Sequence, residues 1–331
     1  MKISVVIPTA RYPNEVELLI QKLLQQSYPP YEILVVDNSQ KDDHSFQIKK
    51  IVEKFGSRKL KYIREREEGL HNARNRGLLE SKGEIVLFQD DDALPGDGNL
   101  IKEIVSSFER NSNVGAVGGK VLPIFESELP EFFKYLKHSY LSLCDWGDEE
   151  KEVDFINGNN FAVDKKIAIH IGGFNPDLFI SQNKIWLIGD GESGLCIKIK
   201  NAGKRIIYNP RAVVYHKIGR ERMSLPYLKQ RAFKHGIQMS YSKFHWGEFP
   251  QRPVLALRSF AFLSLHIIYN IMARLDKTKR ERYEVESSLM KARFLYEMKL
   301  IYDRKLREHV KKKDWISELK KLRKTHQDAR E

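Results

Sequence analysis

The chain has 331 residues and a mass of 38.7 kDa, enough for one large domain or two ordinary ones with proper cores. Its composition, 41% hydrophobic, 31% charged and 11% aromatic, excludes a disordered, collagen-like or multi-span membrane protein. The net charge of +13 is uneven: residues 1–216 hold 29 Lys and Arg against 31 Asp and Glu, while residues 217–331 hold 28 against 13. A near-neutral body and a basic C-terminal third attracted to something anionic follow from that asymmetry. Two cysteines, Cys144 and Cys196, make neither a disulfide framework nor a four-cysteine zinc site, so a reducing compartment is expected. The apolar run 3–7 stops at Pro8, too short for a secretion signal, and is expected to be the first strand of a cytosolic protein.

Taken in order, strands are expected at 2–7, 32–36, 60–63 and 84–88, and helices over 16–24, 48–55 and 70–81. Strands apolar on both faces and alternating with helices predict an α/β fold with a mostly parallel sheet and right-handed crossovers. Ligands then lie beyond the carboxyl ends of the strands, where Pro8-Thr9, Asp37 and Asp90–Asp92 converge on one edge. Further strands are expected at 114–121, 154–163, 205–208 and 212–216. Beyond Ser224 the pattern changes to long helices, 227–242 and 254–275. A charged stretch follows in which Leu295, Met298, Ile301, Tyr302 and Leu306, and then Trp315, Ile316, Leu319 and Leu322, keep helical spacing. Two parts are therefore expected, residues 1–222 as the catalytic body and 223–331 as a basic, amphipathic helical region.

Asp90-Asp91-Asp92 follows an apolar strand. Three adjacent carboxylates repel one another unless a cation or donors sit between them. Alternation along a strand end lets Asp90 and Asp92 face one ligand while Asp91 points elsewhere. Hard oxygen ligands suit Mg²⁺ or Mn²⁺ bridged to phosphates, and a solvated acidic turn is the plainer alternative.

The surrounding motifs resemble family 2 glycosyltransferases, inverting enzymes of GT-A fold that use nucleotide-sugar donors. The resemblance covers roughly residues 1–222. It rests on eight pieces in order: Val-Val-Ile-Pro-Thr (5–9), Leu-Val-Val-Asp-Asn-Ser (34–39), Gly-Leu-His-Asn-Ala-Arg-Asn-Arg-Gly-Leu (69–78), Phe-Gln-Asp-Asp-Asp (88–92), Asn-Gly-Asn-Asn-Phe-Ala-Val (157–163), Gly-Gly-Phe (172–174), Gly-Asp-Gly-Glu-Ser-Gly-Leu (189–195) and Ala-Val-Val-Tyr-His (212–216). The resemblance implies that Pro8 and Thr9 line the base and ribose pocket and that Asp37 accepts a hydrogen bond from the nucleobase. Arg74 and Asn75 would support the nucleotide, Asp90 would contact the ribose, and Asp92, with His216 nearby, would hold a divalent Mn²⁺ or Mg²⁺ against the diphosphate. Glu192 would be the catalytic base with Asp190 in reserve, because the usual Glu-Asp pair is replaced here by Gly191-Glu192. Asn157, Gly158 and Asn159 would lie at the sugar and acceptor site. Arg220 and Arg222 would reach the diphosphate, or else simply begin the basic tail. The implied partners are a nucleotide-sugar donor, a UDP-sugar first, and a saccharide or lipid-linked acceptor.

Residues 254–272 are mostly apolar yet contain Arg258, His266 and Asn270. A helix in the membrane interface on the cytoplasmic face fits best, with a buried helix or dimer contact, or a true span, as alternatives. A metal-dependent nucleotidyltransferase is disfavoured because Pro-Thr-Ala-Arg-Tyr-Pro replaces a Gly-rich phosphate loop. A nucleic-acid-binding tail is disfavoured because its bases are interleaved with acids and no nucleic-acid module appears.

Overall fold

The computed structural model describes residues 1–317 except 11, 137 and 177–181; Leu319 and Leu322 lie outside the described residues. The first half winds as β1 (Ile3–Thr9), α1 (Pro13–Leu24), β2 (Glu32–Asp37), α2 (Asp42–Lys54), β3 (Leu60–Arg64), α3 (Leu70–Glu80), β4 (Ile85–Phe88), β5 (Ala93–Pro95), α4 (Leu100–Arg110) and β6 (Val114–Phe125). Then come β7 (Lys151–Glu152), β8 (Phe161–Asp164), α5 (Lys165–His170), α6 (Gly191–Asn201) and β9 (Arg205–Ile218). One sheet runs β3-β2-β1-β4-β8-β6-β9-β5, with β7 on β9. Its first four strands are parallel, whereas β8 is antiparallel to both neighbours and β5 to β9, so the sheet is mixed.

Alternate residues of each strand feed opposite layers, as the pleat requires. Ile3, Val5 and Ile7 join Ile33, Val35, Leu19 and Ile104 in one core. Val6, Leu34 and Val36 join Ala73, Leu78, Phe174 and Leu195 in the other. Parallel pairing aligns Thr9 with Asp37 and Asp37 with Arg64, which gathers the carboxyl ends on one edge. Antiparallel pairing of β5 with β9 sets Ala93 opposite His216 and so delivers the histidine to the acidic turn.

Two strand expectations change. Residues 205–208 and 212–216 form one strand, continuous through Asn209-Pro210, because buried Asn209 ties itself to Ser107 and Glu103 where the pairing with β6 shifts register. Of 154–163, only the end is strand; Gly158–Asn160 instead makes a 3-10 turn that faces the site.

The C-terminal helices are α7 (Leu225–Trp246), α8 (Arg252–Leu275), α9 (Arg280–Tyr302) and α10 (Arg304–Lys311). α7 and α9 pack around Tyr241, Phe244 and Tyr296, and Ile316 returns to the sheet core beside Phe174. The polar residues of α8 turn inward: Arg258 pairs with fully buried Glu297 at 2.8 and 2.5 Å, and His266 meets Ser287 Oγ at 2.7 Å. The opposite face is apolar and open, with Leu257 75% and Leu275 80% exposed, so α8 is not a helix buried within this chain.

Candidate active site

Beyond the strand ends lies a cavity of about 1050 Å³. Pro8, Thr9, Asn38 and Ser39 line one part of it, Asp90–Asp92, His216 and Arg222 another, and Asn157–Asn159 and Glu192 a third. Sequence reading did not anticipate that α7 supplies a wall through Arg231, His235, Gln238, Met239 and Ser242. Their spacing of three and four places them on one helical face, a polar stripe legible in the sequence once α7 is known to be a wall.

Arg74 holds the centre. Its fully buried guanidinium donates to Asp90 Oδ1 at 2.5 Å, Glu192 Oε1 at 2.7 Å and the carbonyl of Gly158 at 3.0 Å. His71, one turn earlier on α3, stands 3.4 Å from Glu192 Oε2; its place within the motif 69–78 is the only sequence signal for it. Burial would raise the Glu192 carboxyl, but the charges of His71 and Arg74 outweigh it and hold the group well below the usual range. Since the unfolded chain then binds the proton more tightly, Glu192 contributes stability above the ordinary glutamate range. That contribution fades as pH falls through its low folded value.

The aspartates separate. Asp90 faces Arg74 rather than open space, and burial followed by its acidic neighbours raises its carboxyl despite that cation. Asp91, expected to point elsewhere, also lines the cavity and accepts from Thr9 Oγ1 at 2.6 Å. Burial and Asp92 push its carboxyl well up. Asp92 accepts from Arg222 Nη2 at 2.6 Å and stands 3.5 Å from His216 Nε2, which, with Arg222, outweighs burial and lowers it.

Four of the named residues make contacts that the sequence does not suggest. Asp37 is fully buried and off the cavity wall; its carboxylate accepts from Tyr62, Arg64 and the Ser39 amide, because the parallel register sets β3 alongside. Asn75 clamps the Phe174 backbone in both directions at 2.8 and 2.9 Å instead of supporting a nucleotide. Asp190 lines the cavity, but its carboxylate accepts from Asn175, Ser242 and the Trp246 indole at 2.6 to 3.1 Å, which clasps α7 to the sheet. Arg220 is exposed and not on the described cavity wall.

Asp92 and His216 fit a divalent ion. One hard oxygen and one imidazole nitrogen aim at a single cation, the Arg222 guanidinium, which donates to both. Among the described residues no cluster of three or more metal-binding side chains forms, so substrate oxygens would complete the shell.

Residues 4–167 match the profile of Glycosyl transferase family 2. The chain carries a family 2 glycosyltransferase domain. A glucosyl-dolichyl phosphate glucuronosyltransferase of Haloferax volcanii is 29% identical over 252 residues, covering 73% of this chain and 76% of that protein. A GalNAc(5)-diNAcBac-PP-undecaprenol beta-1,3-glucosyltransferase of Campylobacter jejuni is 25% identical, covering 56% and 59%. The mannosyltransferase PcManGT of Pyrobaculum calidifontis, solved with GDP-Man and Mn²⁺, superposes with a TM-score of 0.57 at 20% identity over 92% of this chain and 88% of its own. The fold of this glycosyltransferase is therefore GT-A.

Gly158 shows how tightly the glycosyltransferase site is built. A Cβ there would lie 2.0 Å from Glu192 Oε1 and 2.5 Å from Arg74 Nη1. Gly158→Ala is expected to cost about 1–3 kcal/mol by overpacking and to reduce transfer by displacing Glu192. Thermal melts and initial rates check this; wild-type values in both would disprove the close packing.

Proposed function

We propose that this glycosyltransferase moves a sugar, with inversion, from a nucleotide-sugar donor to a hydroxyl of a lipid-linked acceptor at a membrane surface. The observation that carries the reading is that the carboxylate of Glu192 and the Asp92–His216 pair open on one cavity. The nucleotide would lie along Pro8, Thr9 and Asn38, and its diphosphate beside Asp92, His216 and Arg222. A divalent ion bound there would neutralise the departing diphosphate. Asn159 supports a sugar subsite: it is 3% exposed, faces the cavity, and its amide has no hydrogen-bond partner among the described residues.

Glu192 accepts the acceptor hydroxyl's proton as the oxygen attacks the anomeric carbon and the bond to the diphosphate breaks. Any carboxylate is too weak a base to deprotonate an alcohol beforehand, so proton transfer accompanies bond formation. UDP or GDP with Mn²⁺ should raise the melting temperature, and Asp92→Ala should abolish the metal-dependent part. NMR of the product should show the anomeric configuration opposite to the donor's; retention would sink the inverting mechanism.

The membrane part rests on α8, whose open face carries Leu257, Ile268, Ile271 and Leu275 beside basic Arg274 and Lys277. By length and hydropathy (mean 1.6 over its most apolar stretch) α8 is also long enough to cross a bilayer. Its inward Arg258–Glu297 pair favours lying in the interface instead. The two bacterial and archaeal relatives carry dolichyl phosphate and PP-undecaprenol in their names, which supports a lipid-linked acceptor. Leu257→Asp with Ile271→Asp is expected to release the protein from vesicles containing phosphatidylglycerol in a flotation assay; unchanged flotation would count against the interface.

A further inference from the structure

Arg222 occupies a place that its sequence position does not explain. Its Nη2 donates to Asp92 Oδ2 at 2.6 Å and its Nη1 meets His216 Nε2 at 2.8 Å. A guanidinium has only donors, so its contact with His216 is a hydrogen bond only through the Nε2 lone pair. The carboxylate and the imidazole that face this point are therefore both in contact with a protein cation. The single lone pair of His216 Nε2 cannot serve both the guanidinium and a divalent ion, and Arg222 bridges the two side chains, so an ion held by both must move it.

The local chain makes this arrangement and lets it open. Strand β9 ends at Ile218, and a 3-10 turn over Arg220–Met223 folds Arg222 back onto His216, six residues earlier. The Arg222 side chain keeps 20% exposure at the cavity edge, while His216 and Asp92 keep 4% and 11%. The two ligands are thus fixed and enclosed, and the cation alone has solvent to swing into.

We propose that Arg222 is the resident cation of the Asp92–His216 site, that a divalent ion binds only by displacing it, and that the released guanidinium then clamps the donor diphosphate. The inference rests on the metal-assisted reading above. Without nucleotide the exchange gains one cation and strands another, so metal binds weakly. With a diphosphate present, the arginine finds a bidentate anionic partner and the exchange becomes favourable. Metal and donor would accordingly bind as a pair.

The test is a Mn²⁺ titration of the full chain followed by electron paramagnetic resonance, with UDP and GDP each absent and present. Without nucleotide, Arg222→Gln should bind Mn²⁺ at least about tenfold more tightly than wild type, because a charge-assisted competitor is gone. Arg220→Gln, which removes an equal charge two residues away, should stay within about twofold of wild type. Addition of UDP or GDP should tighten Mn²⁺ binding strongly in wild type and far less in Arg222→Gln. Arg222→Lys keeps the charge but loses the two-pronged contact, and should fall between them. Equal Mn²⁺ affinity in wild type and Arg222→Gln overturns the exchange, and so does an equal gain in Arg220→Gln. Absence of Mn²⁺ binding in every protein, with either nucleotide, takes down the metal reading itself together with this proposal.

Discussion

Glu192→Gln is expected to lower the transfer rate about a thousandfold while leaving nucleoside diphosphate binding with Mn²⁺ unchanged, as loss of a general base predicts. The amide keeps the shape of the side chain and its acceptor oxygen for Arg74, 2.7 Å away in the wild type, so the cavity should stay assembled. What it loses is the capacity to take the acceptor's proton during attack. Because His71 and Arg74 hold the wild-type carboxyl well below its usual range, Glu192 remains ionised throughout the neutral range. The acid limb of kcat/KM should consequently fall below the ordinary glutamate value of about 4.3. Steady-state rates over pH, paired with thermal shifts in UDP or GDP and Mn²⁺, check both halves. A variant that transfers at the wild-type rate removes Glu192 from the chemistry; one that fails to bind nucleotide makes it a structural residue.

Arg74→Met should be the most damaging change to the fold. The guanidinium is fully buried, and burial would weaken its charge, yet Asp90 and Glu192 hold it firmly protonated. Methionine preserves much of the volume but removes the cation between the two carboxylates, leaving only His71 beside Glu192. Breaking a buried pair in this way costs about 3–5 kcal/mol. The loss should shrink in mild acid. Without Arg74 the folded pKa of Glu192 rises toward or above its unfolded value, so protonation then relieves the folded state instead of penalising it. Chemical denaturation at neutral and acidic pH measures this. An unchanged midpoint at neutral pH would mean that Arg74 does not hold the site together.

These two residues illustrate unequal legibility. Glu192 is named by the family resemblance, where Gly191-Glu192 stands for the usual Glu-Asp pair, and it does reach the cavity. Arg74 was expected to touch nucleotide, and its bridging role between Asp90 and Glu192 is invisible locally because its partners lie 16 and 118 positions away. The same holds for Asp190 and Glu192. Two acids two residues apart on one helix start look interchangeable in sequence. Both line the cavity, but Ser242 and Trp246 arriving from α7 engage Asp190, whereas Glu192 meets Arg74 and His71. Of Asp37, Asp92 and Glu192, the last two share the cavity, while Asp37 stands behind it under Tyr62 and Arg64, with Asn38 and Ser39 in front.

The strands β1 to β4 and the helices between them were readable because residues buried on both faces must be apolar without interruption, a local property of composition. The long C-terminal helices were readable from their apolar period for the same reason. Which sides of them are buried was not, because inward-facing Arg258 and His266 invert the usual pattern on α8 and only their contacts with Glu297 and Ser287 reveal it. Sequence alone determined the layered α/β framework, the edge that carries the acidic turn and the family of the chain. Tertiary structure decided which partners each carboxylate takes, which cation sits between Asp92 and His216, and that α7 walls the site. Each of those depends on pairings between distant segments, where a charge is priced by its neighbours in space and not by its neighbours along the chain.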